Sequence, residues 1–195
     1  MSTQIEAVIQ RVERECREER IPMLGPEKAR HLADLVAEAS PPLAVECGTA
    51  VGYSALWFGR ELLKTGGRLI TLEINPSRHA RARANIESAG LAEVVEARLG
   101  DARELLKAIK DDVAFLHLDN DYGNYAPCFE AIEPRLADGA IVAADNAGIG
   151  ANGMRDYLER VRGAYESKTV WFELNLPWVK RDAIEISVYR KNRAQ

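Results

Sequence analysis

Cysteine, histidine and net charge are all scarce in this chain: three cysteines, three histidines and a formal charge of −4 over 195 residues. Cys16, Cys47 and Cys128 are widely spaced, odd in number and contain no C-x-x-C pair. That removes the basis for a disulfide framework or a thiolate zinc site. A basic excess is absent as well. With 26 Lys and Arg against 30 Asp and Glu, nothing in the charge calls for nucleic acid as a partner. No apolar run approaches the roughly 20 residues that a bilayer-spanning helix needs. The opening stretch MSTQIEAVIQRVERECREER is charged throughout and lacks the apolar core of a signal peptide. The expectation is a cytoplasmic protein with no membrane partner. Internal repeats and low-complexity linkers are missing too.

What remains is ordinary for a globular chain, 47% hydrophobic and 29% charged, and long enough to bury a sizeable core. Apolar residues at Ile5, Val8, Ile9, Val12 and Cys16 have helical spacing and predict a helix over 5–20. Pro22, Gly25 and Pro26 break it, and a second amphipathic helix over 27–39 stops at Pro41-Pro42. From there short apolar runs alternate with helical patterns. Strands are expected at 43–46, 68–73, 94–99, 113–119 and 140–144, with helices at 53–64, 76–89, 102–107, 125–136 and 153–165. Two last strands, 169–175 and 183–190, have no helix between them and should form an antiparallel pair at the sheet edge. This alternation implies an α/β fold: a doubly wound, seven-stranded, mostly parallel sheet with helices on both faces. Residues 1–24 read as an N-terminal helix and loop before one domain over 25–195.

In such a sheet, ligands bind at the carboxyl ends of the strands. The segment LAVECGTAVGYSAL, Leu43 to Leu56, is a strand ending in an acid, a glycine-rich turn and a helix start, with Glu46, Gly48 and Gly52 as E-x-G-x-x-x-G. Glycine admits positive φ and close backbone approach, and a helix N-terminus offers free N–H groups. Further acids follow at each strand end: Glu73, Asp101, Asp119 and Asp145-Asn146. One such acid is an ordinary cap or turn residue. Five in register, one per strand, point to a site.

These motifs together resemble the class I S-adenosylmethionine (SAM)-dependent methyltransferases, of the cation-dependent O-methyltransferase type that includes the catechol and caffeoyl-CoA enzymes. The resemblance runs from about Gly25 to Arg190 and implies a Rossmann-like fold. VECGTAVGYSAL matches the SAM loop, which puts Glu46, Gly48, Gly52, Tyr53 and Ser54 at the methionine end of the cofactor. LITLEINP supplies Glu73 for the ribose, and GDARELL supplies Asp101 and Ala102 for the adenine edge. HLDNDYGNY matches the family's I-D-A-D-K-x-x-Y, with Asp119 and Tyr125 in place, and LADGAIVAADN matches L-x-x-G-G-x-I-V-x-D-N. The resemblance implies a divalent cation (Mg²⁺, Mn²⁺ or Ca²⁺) on Asp119, Asp145 and Asn146, with Asp119 also flanking the cofactor. It further implies methyl transfer to a hydroxyl of a small, aromatic acceptor, and a homodimer. Oxygen ligands suit such hard ions, and a metal lowers the pKa of a hydroxyl that must attack a methyl group.

The match breaks on the acceptor side. Tyr122 stands where the family has a lysine close to the acceptor oxygen, so Asp119, Tyr122 and Lys180, the last in the loop of the final strand pair, are the catalytic candidates. AGIGANGMRDYL enters its helix almost at once after Asp145-Asn146. Trp178-Val179-Lys180-Arg181-Asp182-Ala183 replaces the family's Gly-Asp-Gly turn. His117, two residues before Asp119, reads as a packed core residue. Two alternatives keep the SAM site: a metal-independent methyltransferase for another O or N acceptor, and a non-catalytic SAM-binding module. A nicotinamide-dependent oxidoreductase shares the βαβ start, but the loop is not G-x-G-x-x-G and no Tyr-x-x-x-Lys pair is present.

Overall fold

A computed structural model describes residues 2–191. Helix α1 (Ser2–Glu19) turns its apolar stripe inward. Ile5, Val8, Ile9, Val12 and Cys16 are buried in the same core as α2 (Pro26–Ala39) and α3 (Tyr53–Thr65). Its charges face solvent or neighbouring arginines, so a helix rich in charge still contributes to the core through one face. α2 starts on Pro26 and ends on Ser40 in the left-handed region (φ 45°), ahead of Pro41. α4 (Pro76–Ser88) starts under Asn75, whose side-chain oxygen accepts the N–H groups of Ser77 and Arg78 at 2.9 and 3.0 Å.

The strands are β1 (Leu43–Cys47), β2 (Arg68–Glu73), β3 (Val95–Leu99), β4 (Val113–Leu118), β5 (Leu136–Ala144), β6 (Glu166–Glu173) and β7 (Arg181–Val188). They lie in the order β3-β2-β1-β4-β5-β7-β6. β1 to β5 run parallel, and β7 pairs antiparallel with both β5 and β6. The last strand therefore sits inside the sheet and is almost fully buried, while β6 forms the edge with alternating exposure. Helices α1 to α4 cover one face. The short α5 (Ala102–Leu105), α6 (Tyr125–Ile132) and α7 (Arg155–Ala164) cover the other, packing through Phe129, Tyr157 and Val161. Among the described residues no helix is long and apolar enough to cross a membrane.

Element types agree with the sequence pattern, and several boundaries move. The helix expected over 125–136 ends at Ile132, because Pro134 forces a 3-10 turn over Glu133–Arg135. β5 starts at Leu136, not at 140. Gly139, at φ 83°, sits within it where the register against β4 slips, as a kink inside the strand. The helix expected from 153 starts at Arg155, after turns closed by Gly150 N–H to Asn146 O and Met154 N–H to Gly150 O. Both final strands begin two or three residues early. Their loop, 174–180, is closed by Leu174 N–H donating to Lys180 O at 2.7 Å.

Candidate active site

Between β1 and β4 the strand order reverses direction, and there the carboxyl ends open a cleft of 610 Å³. On one side is the turn after β1. Gly48 (φ 100°) runs so close to β4 that a Cβ on it would lie 2.0 Å from the Asp119 carbonyl oxygen. Only glycine fits, on both conformation and space. Gly48 and Thr49 donate their N–H groups to Leu72 O at 2.9 and 3.2 Å, and Ala50 (φ 46°) donates its own to Glu73 Oε2 at 2.8 Å. Glu73 Oε1 takes Asn75 N–H at 2.8 Å. The acid at the end of β2 is thus fixed by backbone on both oxygens and still lines the cleft. Asp101 and Ala102 line it further along. Asp101 caps α5 through Arg103 N–H, and the Arg103 guanidinium holds its carboxyl below the usual range.

Four of the expected cofactor residues do not reach the cleft surface. Glu46 is wholly buried beneath the turn, where Oε2 accepts Thr71 Oγ1–H at 2.6 Å and Oε1 meets His117 Nδ1 at 3.1 Å. The carboxylate that read as a ligand contact is instead consumed inside the sheet. His117 packs edge-on to Phe58, in keeping with a core role. Gly52 (φ 90°) precedes the first turn of α3 and faces Ala82. Tyr53 is buried and donates its hydroxyl to Glu13 on α1 at 3.1 Å, and Ser54 is buried in that same turn. Of this segment, Gly48 and Ala50 are what the cleft meets.

The opposite half gathers charge. Asp119 after β4, Asp145 and Asn146 after β5, and Tyr122 all line it. Two residues join them that were not singled out. Lys28, on α2 and 1% exposed, puts its ammonium 2.5 Å from Asp145 Oδ1 and 2.6 Å from Asp182 Oδ2. Asp182, in β7, also accepts Asn146 Nδ2 at 2.9 Å and the N–H groups of Gly148 and Ile149 at 3.1 and 2.9 Å. A signal for Lys28 was present in the sequence: it shares the spacing of Leu32 and Val36 on the buried stripe of α2, where a lysine needs partners. Lys180, the expected catalytic ammonium, is exposed at the end of the 174–180 loop and is absent from the cleft wall. The buried lysine of this site is therefore Lys28.

Burial and the neighbouring Asp145 push the Asp119 carboxyl well up, and burial raises Asp145 even though Lys28 pulls it down. Asp182 goes the other way: burial opposes it, but Lys28 and Asn146 hold it low. Lys28 is kept charged by the two carboxylates against its own desolvation. Tyr122 is raised by burial and by the acids around it, which favours the protonated phenol at neutral pH. Its ring lies over Gly150 and Gly153, where a Cβ would come within 2.8 and 3.1 Å of it.

A divalent cation is tested against this donor set. Among the described residues no group of three or more His, Cys, Asp or Glu side chains is arranged to hold a metal. The expected set has only two carboxylates, with the amide of Asn146 as third member. These residues fit a hard cation in one respect. The Asp119 carboxylate and Asn146 Oδ1 accept no hydrogen bond among the described residues, so both are free acceptors beside Asp145.

Known proteins place this geometry. A family model described as a methyltransferase domain matches residues 45–147. Catechol O-methyltransferase B of Danio rerio is 33% identical over 195 residues, covering 94% of this chain and 72% of that protein. Catechol O-methyltransferase of Mus musculus is 29% identical, with 95% and 72% covered. Among solved structures, the O-methyltransferase from Bacillus cereus in complex with SAH superposes with a TM-score of 0.85 at 24% identity, over 94% of this chain and 91% of that one. The TomG O-methyltransferase of Streptomyces achromogenes, solved with SAM, gives 0.82 at 21% identity, over 94% and 89%. The chain belongs to the class I SAM-dependent O-methyltransferases of the catechol and caffeoyl-CoA type.

Proposed function

We propose that this enzyme methylates a hydroxyl of a small aromatic diol, with a divalent cation held by Asp119, Asp145 and Asn146. The observation that carries the reading is the free oxygen set of Asp119 and Asn146 beside Asp145, lining one cleft with Tyr122, Gly48 and Glu73. The likeness to catechol O-methyltransferases supports the acceptor class.

Each residue then has a task. Glu73 receives the ribose hydroxyls on the lone pairs that Ala50 and Asn75 leave free. Asp101 and Ala102 border the adenine, with exposed Ile74 as an apolar face. Gly48 and Ala50 border the methionine end, so the sulfonium methyl is directed at the acid-lined half. Holding the methyl and the acceptor oxygen in line supplies much of the rate. A bound divalent cation would lower the pKa of the acceptor hydroxyl and fix its orientation. Tyr122 donates a hydrogen bond to an acceptor oxygen. Met23, Leu24, Ile149, Leu176 and Trp178 form an apolar wall for the ring and exclude water. Lys28, clamped between two carboxylates, holds charge and does not take the proton, which the acidified hydroxyl releases to bulk water.

The test is methyl transfer from SAM to a panel of catechols, with Mg²⁺ and then with excess EDTA, alongside calorimetry of SAM binding. Product that depends on the ion, with SAM affinity unaffected by EDTA, is expected. Turnover indifferent to EDTA would remove the metal and favour metal-independent transfer. SAM affinity without turnover on any acceptor would favour a binding module.

A further inference from the structure

We propose that Lys28 and Asp182 are positioning residues that decide which atoms Asp145 and Asn146 offer to the cleft. The inference rests on the proposed ligand role of Asp119, Asp145 and Asn146. Lys28 Nζ occupies Asp145 Oδ1 at 2.5 Å, which leaves Oδ2 as the oxygen that Lys28 does not hold. Asn146 donates Nδ2 to Asp145 Oδ2 at 3.1 Å and to Asp182 Oδ2 at 2.9 Å. With its nitrogen pinned between two acids, the amide has only its oxygen left to present. Asn146 is held at φ 58°, a region asparagine tolerates better than most residues.

Asp182 is the common acceptor of this arrangement. Its two oxygens take four donors from two parts of the chain: Lys28 of α2, and from the turn after β5 the Asn146 amide and the N–H groups of Gly148 and Ile149. Asp182 therefore anchors the turn after β5 to β7, and Lys28 anchors both to α2. Lys28 also carries the positive charge that lets two carboxylates stay packed together with side chains only 1–3% exposed. Partners of this kind, one step behind the ligands, orient them and commonly set metal affinity.

Two variants separate positioning from bulk structure, read by Mn²⁺ affinity from electron paramagnetic resonance and by S-adenosylhomocysteine affinity from calorimetry. Asp182→Asn keeps the shape but replaces an acceptor oxygen with a donor against Lys28 and Asn146. It should weaken Mn²⁺ by about 10- to 100-fold while leaving S-adenosylhomocysteine within about twofold, which certifies the fold. Lys28→Met removes a cation, which by Coulomb's law alone should tighten binding of another cation. Weaker Mn²⁺ binding in this variant, with S-adenosylhomocysteine affinity kept and no recovery at higher pH, is the expected result and marks lost orientation, because a proton competing for Asp145 in the absence of Lys28 would be relieved as pH rises. Wild-type protein that binds Mn²⁺, with both variants binding as tightly or more tightly, overturns the positioning role and leaves the ligand assignment standing. Wild-type protein that binds no Mn²⁺ overturns both.

Discussion

The two halves of the cleft are built in different ways. The half beside Gly48 and Glu73 is set by backbone: Ala50 and Asn75 N–H groups on Glu73, and a glycine packed onto the Asp119 carbonyl. Most of its contacts join residues that are near in sequence or at adjacent strand ends. The half beside Asp145 is set by side-chain charge across long separations. Lys28 meets Asp145 over 117 residues and Asp182 over 154. A site fixed by backbone tolerates little change in conformation but ignores distant side chains. A site fixed by charge is the reverse, and the acceptor is where this enzyme departs from the family's motif.

The largest effect should come from attacking the backbone half directly. Gly48→Ala places a Cβ against a carbonyl oxygen and strains a left-handed residue, so a loss of about 4 kcal/mol in folding stability is expected. Gly66→Ala, at φ 78° with open space around it, isolates the conformational part and should cost about 1 kcal/mol. Urea unfolding of both variants checks the pair. Equal losses would mean that the contact with Asp119 is not what demands glycine at position 48. Next, Glu73→Ala should weaken SAM by about 10- to 100-fold, the worth of a charged hydrogen bond, without altering Mn²⁺ affinity. Calorimetry showing both affinities falling together would erase the division into halves.

This division also explains what the sequence disclosed. The glycine turn, the strand-end acids and the alternation of elements are local patterns, and all five acid positions lie at strand ends. Glu46 shows the limit of that legibility. The motif marks its position, and Thr71 and His117, on neighbouring strands, turn its carboxylate into the sheet. Lys180 was a candidate because its loop approaches the site, but an exposed side chain on a strand-pair turn has nothing to draw it inward. Lys28 entered by the opposite route, from a helix whose register carries it under the cleft. No spacing in the sequence links it to Asp182, because that contact exists only once β7 has inserted between β5 and β6.

A smaller effect tests the acceptor half at its surface. Tyr122→Phe removes one neutral donor and keeps the ring over Gly150 and Gly153. The loss of a single hydrogen bond predicts a three- to tenfold fall in kcat, with SAM affinity unchanged. A pH–rate profile keeping the same inflections below pH 9 in both proteins would agree with a phenol that stays protonated there. An inflection present only in the wild type would make Tyr122 a base after all.

The smallest effect concerns the strand that carries Asp182. Three positions along β7, Glu185 accepts the Arg162 guanidinium at 2.8 Å on each oxygen and Thr169 Oγ1–H at 2.5 Å. Burial works against the ionised carboxyl, but these partners prevail and hold its pKa below the usual glutamate value of about 4.3. An acid depressed in the folded state stabilises above its unfolded pKa, and that stability disappears as pH falls through the lowered folded value. Glu185→Gln should therefore cost no more than about 1 kcal/mol at pH 7, since Arg162 is nearly half exposed. The gap between variant and wild type should stay constant down to about pH 5 and close below about pH 4. If acid unfolding followed by Trp171 and Trp178 fluorescence kept the same gap at pH 3, packing rather than charge would be holding β7, and the contrast between the two halves would stop at Lys28.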